Sequence, residues 1–199
     1  MGLEGRQLDV GRRVPARPCI GHGLRLGRTR RAPQQEFADT SSMDTFNLFR
    51  GETSGDETDP PGYRARSAQL ASRFGASRVA MTVYDLPPGE AICPYHFHWG
   101  DEEWLIVVSG APTVRTPHGE RTLEPGDVVC FLVGPEGAHR VHNASEDCVR
   151  VALFSNKHEF GVIEYPDSDK IGVWGRKDES RDHMIRRSPD LDYWDGERP

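Results

Sequence analysis

Gly89-Glu90-Ala91-Ile92-Cys93-Pro94-Tyr95-His96-Phe97-His98-Trp99-Gly100-Asp101-Glu102-Glu103-Trp104 is the stretch on which the fold turns. His96 and His98 are two apart, so in an extended segment their imidazoles share one face. Glu103 opens an apolar run, Trp104-Leu105-Ile106-Val107-Val108, that Ser109-Gly110 closes. That run has the composition and length of a strand. If the two strands pair as a hairpin, Glu103 lies beside the histidines. Downstream, a Gly134-Pro135-Glu136-Gly137 turn leads into His139 and another short strand. Neutral imidazoles plus a carboxylate suit a first-row transition metal. His96, His98, Glu103 and His139 are therefore the candidate metal ligands.

Around this stretch the chain reads as many short strands punctuated by glycine and proline. Val79 to Tyr84, the His-x-His segment and Glu103 to Val108 come first. A hairpin follows, Pro112 to Thr116 and Arg121 to Leu123, around His118-Gly119. Asp127 to Leu132, Arg140 to Asn143, Val149 to Phe154 and Gly161 to Tyr165 complete the set. Strands at this interval imply a sandwich or barrel. Ser67 to Phe74 reads equally as a short helix or an edge strand.

The two ligand blocks resemble the cupin superfamily, and the small single-domain bacterial cupins in particular. Gly89, His96-x-His98, Glu103 and Gly110 follow the first cupin motif, with one extra residue between Gly89 and His96. Gly126, His139 and Asn143 follow the second, although Leu132 stands where proline is usual and the turn before His139 is longer. The resemblance is concentrated in residues 79–155. It implies an all-β fold, a double-stranded β-helix or jelly-roll barrel, with polar N- and C-terminal extensions. It also implies a single divalent transition metal (Fe, Mn, Ni, Co or Zn) and a homodimer. The reactions it brings are those of dioxygenases, decarboxylases and sugar isomerases or epimerases. The competing expectation is a cupin that binds or senses a small ligand without turning it over.

Strand alternation assigns the neighbours of the ligands. Leu105 and Val107 share a face with Glu103, and Val141 and Asn143 share one with His139, so these four are expected to line the pocket. Cys93 and Phe97 fall on the other face, as a packed thiol and ring. A metal enzyme also needs a group to move a proton; Tyr84, Tyr95 and His142 are the candidates. Glu102 is the alternative ligand, but the six residues between Glu103 and Gly110 favour Glu103. His158 and His183 carry no pattern.

Composition limits the rest. The chain has 199 residues, 36% of them hydrophobic, and a formal net charge of -6. One domain with extensions is the expected organisation, and the acidic balance argues against nucleic acid as a partner. No apolar run approaches the length of a bilayer span. Cys19, Cys93, Cys130 and Cys148 form no Cys-x-x-Cys pair, and without a secretory signal reduced thiols and a cytoplasmic location are expected. The expected divisions are residues 1–42 as a disordered or non-native extension, 43–78 as a polar lead-in, 79–165 as the barrel and 166–199 as a charged tail. The first segment holds eight arginines against four acidic residues and no apolar face; if it is non-native, Met43 is the expected start of the natural protein. The tail carries Trp174, Tyr193 and Trp194, whose rings need a surface to bury against, on the chain's own barrel or on a partner subunit.

Overall fold

The computed structural model describes residues 44–56, 58–175, 182–187 and 190–197; the expected N-terminal extension, 1–42, lies outside them. Its strands are β1 (Arg66–Gln69), β2 (Val79–Leu86), β3 (Phe97–His98), β4 (Glu103–Ser109), β5 (Thr113–Thr116), β6 (Gly119–Thr122), β7 (Val128–Phe131), β8 (Arg140–His142), β9 (Val149–Asn156), β10 (Phe160–Tyr165), β11 (Lys170–Gly175) and β12 (His183–Arg186). A single short helix, α1 (Leu70–Phe74), occurs among the described residues. The segment from Ser67 to Phe74 resolves into both of its readings: the end of β1, then α1.

One five-stranded sheet, in the order β1-β2-β9-β4-β7, forms one wall. The opposite wall is a four-stranded sheet, β12-β11-β10-β3, and a three-stranded one, β6-β5-β8. Bridges from Ala91 to His142 and from His96 to His139 join these two. The result is an all-β jelly roll whose walls face each other across a core. The tail enters the second wall, because Ile171 and Val173 alternate with glycine and tryptophan and Lys170–Gly175 pairs in full register with β10.

The expected hairpin between the His-x-His segment and the Glu103 strand is not what forms. β3 pairs with β10, whereas β4 pairs with β7 and β9 in the opposite sheet. The Trp99 to Glu102 connection carries the chain across the sandwich, so Glu103 meets the histidines face to face rather than edge to edge. Two turns fix opposite ends of the barrel, Gly110 beyond the far end of β4 and Gly137 beside His139. Gly110 has φ 77°, and a Cβ there would sit 2.9 Å from the Cys148 carbonyl oxygen. A Cβ on Gly137 would run into the Leu132 carbonyl, so the long turn before His139 closes only on glycine.

Alternation builds the core. Leu105 and Val107 in β4, Val149 and Val151 in β9, Val141 in β8 and Leu86 in β2 are buried together with Phe131 and Val114. A smaller cluster of Leu70, Val83 and Ala152, backed by Phe46 and Leu48, lies where the lead-in covers the outer face of the large sheet. Arg150 fastens that cover: it pairs with Asp85 at 2.6 and 2.7 Å and donates to the carbonyls of Leu48 and Gly51. No helix among the described residues is long and apolar enough to cross a membrane.

Candidate metal centre

β3, β4 and the segment entering β8 deliver their polar side chains to one point. His96 Nε2 lies 3.0 Å from His98 Nε2. Glu103 Oε2 lies 3.1 Å from His98 Nε2, 3.3 Å from His139 Nε2 and 3.9 Å from His96 Nε2. His96, His98 and Glu103 form the tightest group, with ligand atoms within 4.8 Å of one another. His139 joins it through Glu103. All three histidines are buried, and the Glu103 side chain is 16% exposed.

The hydrogen bonds around the rings set their tautomers. His96 Nδ1 lies 2.9 Å from the Pro94 carbonyl oxygen, and His139 Nδ1 lies 2.9 Å from that of Gly137. A carbonyl only accepts, so both Nδ1 atoms donate and, in the neutral rings, both Nε2 atoms present lone pairs to the centre. Burial, then the neighbouring imidazoles of His139 and His98, pull the His96 pKa down to about 3. Burial alone would raise Glu103, but the adjoining His139 and His98 rings outweigh it and hold the carboxyl well below its ordinary range. Neutral imidazoles and an ionised carboxylate are the protonation states a metal requires.

The centre is therefore rich in acceptors and short of donors. Two imidazole lone pairs and a carboxylate face one another, and His98 Nδ1 is buried with no hydrogen-bond partner. A cation resolves that surplus. Ligand atoms held at about 2.0–2.2 Å from a metal lie roughly 2.8–3.6 Å apart at right or tetrahedral angles; the separations 3.0, 3.1 and 3.3 Å fall in that range, and the 3.9 Å between His96 and Glu103 lies just beyond it. These residues fit a divalent transition metal without choosing one.

Neighbouring groups shape the surroundings. The Phe131 ring stacks on His139 at 3.7 Å, and Tyr165 stacks on His96 at 6.0 Å. Asp101, 2% exposed, approaches His98 Nδ1 to 3.8 Å and bonds His158 Nδ1 at 2.9 Å. Sequence reasoning missed all of these. Asp101, three residues past His98, carried the only local signal; Tyr165 and His158 reach the site through tertiary pairing alone.

The other candidates separate. Tyr84 is turned inward within the field of Glu103 and Cys93, and burial pushes its phenol to about 12. Tyr95 faces outward beneath the Arg115 guanidinium, 4.0 Å above its ring. His142 lies on that same outer face, opposite Thr113. Cys93 puts its sulfur 3.4 Å from His96 Nδ1, behind the ring rather than at its metal-facing nitrogen. Burial and then the Glu103 charge hold this thiol at about 12. Cys93 and Cys130 are free; Cys148 is disulfide-bonded, which corrects the expectation of reduced thiols throughout.

The expected pocket wall is packed into the core. Leu105, Val107 and Val141 share the predicted face but lie deeper, enclosed in the apolar core at 0–2% exposure. Asn143 is a latch at the far end. Its Nδ2 donates to the carbonyls of Leu86 and Asp147, and its Oδ1 accepts from Ser145 N and Oγ.

Residues 82–155 match the family model described as the cupin domain. Among solved structures, the chain is similar to a sugar phosphate isomerase from Silicibacter pomeroyi, with 20% identity and a TM-score of 0.63 over 76% of this chain and 98% of that one. It is also similar to a protein from Acidithiobacillus ferrooxidans proposed to be a sugar phosphate isomerase, with 21% identity and a TM-score of 0.60 over 66% and 81%. At these identities the likeness is one of fold. None of the curated proteins matches the sequence.

Proposed function

Since residues 82–155 make this chain a member of the cupin superfamily, we propose that it is a metal-dependent enzyme acting on a small polar molecule. His96, His98, Glu103 and His139 would hold one divalent transition metal. The observation that carries the reading is the surplus of acceptors at the centre, with the Nδ1 atoms of His96 and His139 committed to carbonyls. A bound metal supplies Lewis acidity and an open position for a substrate oxygen.

The chain's own residues do the rest. The Pro94 and Gly137 carbonyls hold His96 and His139 in the tautomer that aims Nε2 inward. Glu103 contributes the one negative charge, and Phe131 and Tyr165 keep water from the flanks of two rings. Tyr84, protonated at neutral pH, is the group best placed to donate a hydrogen bond to a substrate oxygen. The reaction class lies among dioxygenase, decarboxylase and sugar isomerase chemistry.

A second reading, a cupin that binds or senses its ligand without turnover, is favoured by one observation. Tyr84 and Cys93, the protic groups beside the centre, are both held at about 12, far from the value a general base wants at neutral pH. Elemental analysis of tag-free protein tests the metal on which both readings draw. Near one metal per chain, lost in His98→Ala and Glu103→Ala, is expected; no metal above the variants after reloading would sink the enzyme. We also propose a homodimer; the cytoplasmic expectation rested on reduced thiols and loses that support with the Cys148 disulfide. Val128 and Leu132, 55% and 54% exposed at the open edge of the large sheet, support pairing there, and light scattering in solution checks it.

A further inference from the structure

On the outer face of the second wall, behind the histidines, lies a cleft of about 310 Å³ between Tyr63, Tyr95, Arg140 and the Asp167–Lys170 turn. Arg140 follows His139 directly, and alternation turns it to the opposite side of the sheet. Its Nε is buried and has no hydrogen-bond partner. Lys170 lines the same cleft, its ammonium 5.2 Å from the centre of the Tyr165 ring. Neither cation forms an ion pair among the described residues. The one carboxylate present, Asp167, is committed to Arg115 at 2.6 and 3.0 Å, though it also feels the Arg140 charge.

A buried guanidinium nitrogen without an acceptor is a rare and costly arrangement in a native protein. Here it occurs in a cleft whose fixed charges sum to positive, on a chain of net charge -6. Arginine presents donors in a planar fork suited to carboxylate and phosphate, and lysine adds a mobile point charge. We propose that this cleft is a binding site, separate from the metal centre, for a small oxyanion-bearing molecule whose phosphate or carboxylate group is held by Arg140 and Lys170. The two sites are neighbours, since Lys170 pairs across the sheet with Tyr165, whose ring stacks on His96. Pro94 lines the cleft while its carbonyl holds His96, and Tyr165 stands between Lys170 and His96.

The test is a calorimetric titration of the full chain with inorganic phosphate, and separately with malonate, at fixed ionic strength. The expected result is saturable binding of at least one of them near one per chain. Arg140→Gln and Lys170→Gln should each weaken it at least tenfold, with unfolding curves kept near wild type. His98→Ala should leave it unchanged, which separates this site from an anion sitting on the metal. Lys170→Gln, at a strand end, carries the test if Arg140→Gln does not fold. The stronger of the two anions identifies the head group. No saturable binding of either, or binding lost in His98→Ala and kept in Lys170→Gln, would overturn the proposal.

Discussion

β8 and its flanks carry two buried polar side chains on one face, His139 at one end and Asn143 at the other, with Val141 between them in the core. Their surroundings differ in kind. Asn143, 0% exposed, satisfies its amide nitrogen and oxygen through four hydrogen bonds to its own chain. His139 meets two more imidazoles and a carboxylate, a set with too few protons to satisfy itself. β4 repeats the contrast within a few residues, from Glu103 at the centre to Leu105 at 0% exposure. A buried polar group that completes its partners within the chain is structural. One that is left wanting a cation points outward, to something the protein binds.

The sharpest way to break that comparison is to delete each end. Glu103→Ala and His98→Ala should take metal content from near one per chain to background, because each removes a ligand from a set with no spare. The metal-free protein should lose little stability, since what the ionised Glu103 gains from the rings beside it is largely offset by its own burial. Asn143→Ala should do the reverse. It removes four hydrogen bonds, one buried and three part-buried, so a loss of about 2 kcal/mol is expected, read by denaturant unfolding, with metal stoichiometry retained in the folded fraction. Equal destabilisation by both kinds of variant would erase the distinction.

Acid separates the ends more gently. His96 sits near 3 in the folded chain against an ordinary value of 6.5, so on acidification the unfolded chain takes up a proton that the folded one refuses. Stability is full above about 6.5 and falls as pH drops toward 3. Glu103, also lowered, adds to the same direction at the acid end of that window. Between pH 6.5 and 5 the metal-free protein should lose about 2 kcal/mol at roughly 1.4 kcal/mol per unit. His96→Ala should flatten that slope, whereas the Asn143 latch contains no titrating group and should not affect it. A slope unchanged in His96→Ala would refute the assignment.

Much of this was legible before the fold. Ligand type and a period of two, both local properties, singled out the residues that meet at the centre, and the cupin motif's six residues between glutamate and glycine preferred Glu103 to Glu102. Depth was not legible: alternation assigns Leu105, Val107 and Val141 to a face but says nothing of how far below the opening they lie. Nor was partnership between sheets. Gly100-Asp101-Glu102 reads as a turn, and a turn does not say whether it returns beside the same sheet or crosses to the other. The polar tail hid β11 because its apolar residues are few, and pairing with β10 supplies what its composition lacks.

The finest cut lies behind His98, the one ring of the three whose Nδ1 has no hydrogen-bond partner. Asp101 stands 3.8 Å from it, too far for a hydrogen bond, yet it is buried and bonded on its other oxygen to His158. Carboxylates placed behind metal-bound imidazoles orient the ring and raise its basicity, and their loss typically costs 10–100-fold in metal affinity. Asp101→Asn keeps the shape and the bond to His158 within reach while removing the charge. It should weaken metal binding about tenfold, near 1.4 kcal/mol, measured by competition with a chelator of known affinity. His158→Ala, one step further out and half exposed, should cost less than Asp101→Asn. If Asp101→Asn binds metal as wild type does, the 3.8 Å gap does not close in the loaded protein. His98 would then be held by its own β3 backbone, and the asymmetry among the three rings would have no functional weight.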